Sequence, residues 1–351
     1  VSLAAPSRAA SAAVAGPGPE PAPAPGGWIV SPAFDLLFLA NLGWPLVLLP
    51  WLATAPGETA VDFWQIYFLT LPHRWLTLVL VGLDPARSEG RGMALTLIAC
   101  AAMVLVFGVW AGTGALTCLA VLDYAWNAWH FAAQNAGVLR MYARKVGGGP
   151  ALLERHGVRL FVTYAVLRTA GWATGWLEAD PRLRSHLHLA DAAVLVIPAL
   201  LVGQALATYR RERLGKVAYT LSLCTLYAGL IVALALRAPA WVVGLATASS
   251  LFHAVEYLAV VTHYARRRRT IGPDGAFRRV ARHWPLLLAA YAVLLGTAGS
   301  LLDRPDSSLY ELWIGLNVWA ALVHYAFDGM IWKLRRPDTA RALGVAPGGA
   351  A

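Results

Sequence analysis

The chain reads as an all-α, polytopic transmembrane bundle with about ten spanning helices. Three observations predict this. Its residues are 58% hydrophobic and 14% charged, and the apolar ones gather in blocks of about 20, the length a helix needs to cross a bilayer core. Basic residues crowd every second loop. Many of the 15 Trp lie near segment ends, as an interfacial belt requires.

In order, the segments are residues 33–52, 61–83, 93–110, 115–141, 158–177, 189–209, 217–236, 241–264, 284–302 and 309–332. Pro45 and Pro50 interrupt the first, because proline lacks a donor and crowds the preceding turn. Arg87 and Arg91 follow the second segment. Arg140, Arg144, Lys145, Arg155 and Arg159 follow the fourth, and Arg210, Arg211, Arg213 and Lys216 the sixth. Residues 266–269 with Arg278, Arg279 and Arg282 follow the eighth, and Lys333, Arg335 and Arg336 the tenth. The opposite loops hold fewer bases and several acids, among them Glu58, Asp62, Asp180 and Asp303. The positive-inside rule then places both termini in the cytoplasm and sends every even-numbered segment from outside to cytoplasm. Residues 1–30 and 335–351, rich in Ala, Pro and Gly, read as disordered tails on a transmembrane domain spanning 31–334.

The net charge of +10 sits mostly in loops, where it orients helices and meets anionic headgroups. Nucleic acid is therefore excluded as a partner, and membrane lipids are expected. Cys100, Cys118 and Cys224 fall in apolar segments and form no CxxC. They read as buried small hydrophobes, and thiolate metal sites are excluded.

His73, His130, His253 and His324 lie well inside apolar segments, all of them even-numbered. From each to the next cytoplasmic basic residue is 14 residues (to Arg87), 10 (to Arg140), 13 (to Arg266) and 9 (to Lys333). At 1.5 Å per residue the four rings fall within about 8 Å of one depth. Each belongs to a polar stripe on one helical face. The stripes are Asp123, Asn127, His130 and Gln134; Ser249, His253, Glu256 and His263; Asn317, His324 and Asp328; and Asp62, His73, Thr77 and Asp84. Ionisable groups in hydrocarbon are costly, so such stripes face one another inside a bundle and mark a functional site.

His73, His130, His253 and His324 are the candidate metal ligands. Glu256, Asp328 and Asp123 are the candidate catalytic carboxylates, with Gln134, Asn127 and Arg74 as groups supporting a cofactor. Glu256 and Asp328 stand between ligand and supporting roles. Arg74 and Arg168 are intramembrane charges expected to pair with Asp123 or another acid. His156, His186, His188, His263 and His283 read as solvated or interfacial. Nitrogen and carboxylate donors without sulfur suit Fe(II), with zinc or copper as alternatives. There is also an internal echo: His130 leads to Tyr142-Ala-Arg-Lys145, and His253 to Tyr264-Ala-Arg-Arg267.

Two stretches, Trp129-His-Phe-Ala-Ala-Gln-Asn-Ala-Gly137 and His324-Tyr-Ala-Phe-Asp-Gly-Met-Ile-Trp-Lys333, carry a resemblance. Together they resemble a group of uncharacterised, histidine-bearing, polytopic bacterial membrane proteins that end in an HYxxDGxIWK-like helix. The resemblance brings no activity with it. In style of site only, the chain is similar to the bacterial retinal-forming carotenoid dioxygenases, polytopic proteins with histidine-bound iron.

The expectation is a non-haem, iron-dependent oxidoreductase of the bacterial inner membrane, acting on a lipid or other apolar substrate. Its electrons would come from a donor protein or a quinone. A b-type haem electron carrier and a proton-coupled transporter are the alternatives.

Overall fold

The structure, a computed structural model, describes residues 26–53, 60–175, 180–270 and 275–345. Every regular element among them is helical. Eight helices are long and apolar enough to cross a membrane: α1 (Pro32–Pro50), α2 (Val61–Leu83), α3 (Gly92–Thr113), α6 (Arg182–Ala207), α7 (Arg211–Ala235), α8 (Pro239–Arg268), α9 (Trp284–Leu302) and α10 (Tyr310–Ile331). This is a multi-pass membrane protein. Two other long helices, α4 (Thr117–Lys145) and α5 (Val158–Ala173), correspond to the fourth and fifth expected spans. They are not among the eight. α4 carries the polar stripe and three basic residues in its last turns, and α5 is 16 residues long and includes Arg159 and Arg168.

Local chemistry shapes the helices. Ser31 caps α1 by accepting from the Phe34 N–H at 3.3 Å, and Pro32 occupies the first helical position. The Asp35 carboxylate collects the backbone N–H groups of Ile29 (2.6 Å) and Val30 (3.0 Å), and the Tyr142 hydroxyl (2.9 Å). α1 then breaks at Asn41, which has φ 47°, before a 3₁₀ turn containing Pro45. In α2, Pro72 has no N–H to donate and crowds the carbonyl four residues back, and the helix widens into a π turn at Ile66–Thr70. His73 follows directly. Gly296 of α9 packs on this widened turn: a Cβ there would lie 2.7 Å from the Tyr67 carbonyl oxygen. Small residues let membrane helices approach this closely.

The layering is that of a protein in lipid. α3 and α9 are apolar all round and mostly uncovered, with Met93, Leu97, Val104, Leu286 and Leu294 all more than half exposed. Patches of that size need an apolar solvent. α7 and α8 are mostly buried and carry the core with α4 and α5. Inside the bundle α2 packs on α10, α10 on α4, α4 on α8, and α8 on α2. These four helices close a ring.

At one end of the ring the chain is latched. Asp84 is fully buried; it binds the Arg268 guanidinium at two points, Nη2 at 2.9 Å and Nε at 3.2 Å, and accepts from the Tyr264 hydroxyl. Arg87 is also buried. It donates to the Ile331 carbonyl at 2.9 Å and stacks over the Tyr264 ring.

Several expectations are corrected here. Residues 335–345 are not a disordered tail. They form α11 (Pro337–Ala342) and a turn whose Leu343 and Val345 enter the core. Likewise Trp28 and Ile29 are buried, so order begins before residue 31. Residues 1–25 and 346–351 of the expected tails lie outside the described residues. His263 is not solvated; its Nε2 donates to the Leu343 carbonyl at 3.0 Å. Cys224 is buried, whereas Cys100 and Cys118 face outward.

Removing one partner of a buried ion pair strands the other charge. Asp84→Ala is expected to cost about 3 kcal/mol, read as a lower midpoint on unfolding in SDS. An unchanged midpoint would show that the latch contributes nothing.

Candidate metal centre

Each histidine comes from a different helix of the ring: His73 from α2, His324 from α10, His130 from α4 and His253 from α8. All four are buried, between 0% and 5% exposed. Their rings follow the order of the helices. Centroids lie 4.9 Å apart for His73 and His324, 4.6 Å for His324 and His130, 4.9 Å for His130 and His253, and 5.1 Å for His253 and His73. The shared layer expected from loop charges is thus a contact cluster.

Two overlapping groups of donors converge within it: His73, His253 and His324, and His130, His324 and Asp328, each with its ligand atoms within 4.8 Å of one another. Nε2 of His324 and Nε2 of His130 face each other at 3.1 Å. Asp328 Oδ2 lies 3.8 Å from the first and 3.9 Å from the second. The second nitrogen of His324, Nδ1, contacts the Thr77 hydroxyl at 2.7 Å. One ring nitrogen of His324 is therefore left facing the cluster, so it can serve only one of the two groups at a time. Neither ring nitrogen of His253 has a hydrogen-bond partner, although both are buried. Its ring stacks on Phe131 at 3.9 Å. A buried polar atom without a partner calls for an explanation, and a metal ion could engage one of the two nitrogens.

One turn along each helix stands a polar residue at i+4: Thr77 after His73, Gln134 after His130, Tyr257 after His253, and Asp328 after His324. On a helix these lie on the same face as the histidine. Asp328 Oδ1 accepts from Thr77 (3.1 Å) and Tyr257 (3.2 Å), and the Thr77 and Tyr257 hydroxyls contact each other. That leaves Oδ2 turned toward the imidazoles. Such outer partners fix the orientation of metal ligands.

The other expected site residues lie elsewhere. Glu256 is fully buried, but both its oxygens are engaged, one by the Gln134 amide (2.7 Å) and one by the Tyr219 hydroxyl. It holds Gln134 and belongs to neither donor group. Asp123 is half-buried and accepts from the Tyr325 hydroxyl at 3.0 Å. Asn127 is half-buried on α4 and does not line the cavity described below. Arg74 is half-buried; its Nε has no hydrogen-bond partner, but its charge interacts with Asp123, the acid expected to compensate it, with Tyr325 and with the four histidines. Arg168 pairs with Asp191, Nε to Oδ1 at 3.4 Å, and not with Asp123.

A cavity of about 670 Å³ opens on one side of the cluster, with His130, Gln134, Tyr257 and Asp328 in its lining. His73, His253 and His324 do not line it. Sequence reasoning missed Tyr257, Tyr219, Tyr325 and Phe131. For Tyr257 the i+4 spacing after a membrane histidine was the available signal.

Thr77→Val removes the hydroxyl that orients both His324 and Asp328. Metal affinity, measured by competition with a chromophoric chelator, is expected to fall about 10–100-fold with helical content unchanged. An unaltered affinity would leave Thr77 as packing only. Comparison of the chain with protein-family models, with curated proteins and with solved structures returned no match.

Proposed function

We propose that this protein is a membrane-embedded, non-haem, metal-dependent oxidoreductase of the bacterial inner membrane, acting on a lipid or another apolar molecule. The observation that carries the reading is the pair of buried, unpartnered nitrogens on His253 within a closed ring of imidazoles. Iron is the metal of choice. His130, His324 and Asp328 have the composition of the two-histidine, one-carboxylate triad that holds Fe(II) with open positions. His73 and His253, which group with His324 and do not line the cavity, would complete the donor set.

The cavity supports a role in catalysis. It brings substrate to the His130 and Asp328 side of the cluster, where an ion's remaining positions would be free. The site's depth in an apolar bundle suits a substrate and O₂ that partition into lipid. The ion supplies O₂ activation when bound. In a hydroxylation, substrate C–H, O₂, two electrons and two protons yield C–OH and water. The electrons would come from a quinol or a donor protein. Tyr257 and Thr77 hold Asp328, and Gln134 is held by Glu256, so these residues position and do not react. The imidazole ring centroids lie only 4.6–5.1 Å apart, which leaves no slot for a porphyrin between them and disfavours haem. By the loop charges, the latched end with Arg87 and Arg268 faces the cytoplasm.

Elemental analysis tests the reading. Purified wild-type protein is expected to hold about one equivalent of iron per chain, and His253→Ala to lose most of it, with no Soret band in either. Protein free of transition metal after reconstitution with Fe(II), or an iron content unchanged in His253→Ala, would overturn the proposal.

A further inference from the structure

The cavity that reaches His130 and Asp328 is not uniformly apolar. Its apolar and aromatic lining includes Trp126, Trp129, Tyr325, Met330 and Trp332. Its remaining lining includes six bases from four separate stretches of chain: Arg140 and Arg144 at the end of α4, Arg155 in the π turn at Leu153–Gly157, Arg159 on α5, and Lys333 and Arg335 after α10. The only carboxylate in the lining is Asp328, beside the histidines.

Two of the six are committed elsewhere. Arg140 pairs with Glu154, which also binds Lys216, and Arg144 donates to the Leu334 carbonyl at 2.7 Å. Arg159 is held over the Trp129 ring at 5.2 Å, and its buried Nε has no partner. Topology alone asks only that bases flank the helices on one side. It does not ask that they meet around one cavity. Convergent cations above an aromatic wall attract and orient an anion.

From this geometry we infer that the substrate is a single-chain amphiphile with an anionic head, such as a fatty carboxylate. The head rests among Arg155, Arg159 and Arg335, and the tail runs inward along Trp129 and Tyr325. The assignment names the substrate class of the site proposed above and rests on that reading. The cavity, about 670 Å³, has room for a single acyl chain.

Photocrosslinking of the full chain in neutral-lipid nanodiscs with a diazirine analogue of dodecanoate tests this. Labelled peptides are expected within residues 126–144 and 325–335. Unlabelled dodecanoate should displace the probe, while dodecanol and phosphatidylglycerol should need at least about tenfold more. The Arg159→Gln, Arg335→Gln double variant should weaken displacement by dodecanoate about tenfold at unchanged iron content, which shows that it is folded. Equal competition by dodecanol would overturn the role of the charge. Equal competition by phosphatidylglycerol would overturn the single chain, and labelling confined to other helices would overturn the location. The two readings fail separately. In iron-free protein the same labelling pattern would sink the oxidoreductase reading and keep this one, whereas iron-loaded protein indifferent to the head group would do the reverse.

Discussion

An imidazole nitrogen taken out of water needs a partner, and inside a bilayer no water is at hand to serve. Here four imidazoles from four helices are buried against one another, and the cluster does not satisfy itself with hydrogen bonds. His324 is met on both nitrogens, by Thr77 and His130, while His253 has neither of its own met. An unsatisfied buried group costs about 1–3 kcal/mol, a sizeable share of a fold's margin of 5–15 kcal/mol. A cation would offset part of that penalty by engaging one nitrogen of each ring it binds. The closed ring of helices is what brings one histidine from each into the cluster.

The rest of the molecule can be understood as support for that ring. The π turn before Pro72 and the close seat of Gly296 on it set the position of His73 on α2. Asp84, Arg268 and Arg87 tie the ends of α2, α8 and α10 together. Apolar α3 and α9 wrap the outside and leave the polar interior to the inner helices. The echo between α4 and α8 has a physical counterpart. Both histidines join the cluster, and Tyr142 and Tyr264 each donate to a buried aspartate, Asp35 and Asp84.

Much of this was legible in the sequence because membrane insertion leaves plain marks. Apolar block length gave the helices away, and loop bases gave a shared direction for the histidine-bearing ones. A helical face joins residues three and four apart, so the His-to-i+4 pairs were readable, and the pair His324 and Asp328 was read. Which acid faces the cluster was not legible. Glu256 and Asp328 look alike in sequence, and only the hydroxyls of Tyr219 and Tyr257, brought from other turns and helices, assign one to holding Gln134 and the other to the cluster. Arg168 could not be matched to Asp191 because that pairing spans two helices. α11 escaped notice because its buried Ala340, with Leu343 and Val345 beyond it, are scattered among Pro, Gly and charged residues. Loop-like composition conceals a segment that orders only by docking.

The central proposal is that at least three of these histidines share one ion. X-ray absorption at the iron edge of the reconstituted protein tests it most directly. The account predicts low-atomic-number ligands at about 2.0–2.2 Å with the outer-shell scattering of at least three imidazoles. A spectrum lacking imidazole scattering, or one dominated by sulfur, would contradict it.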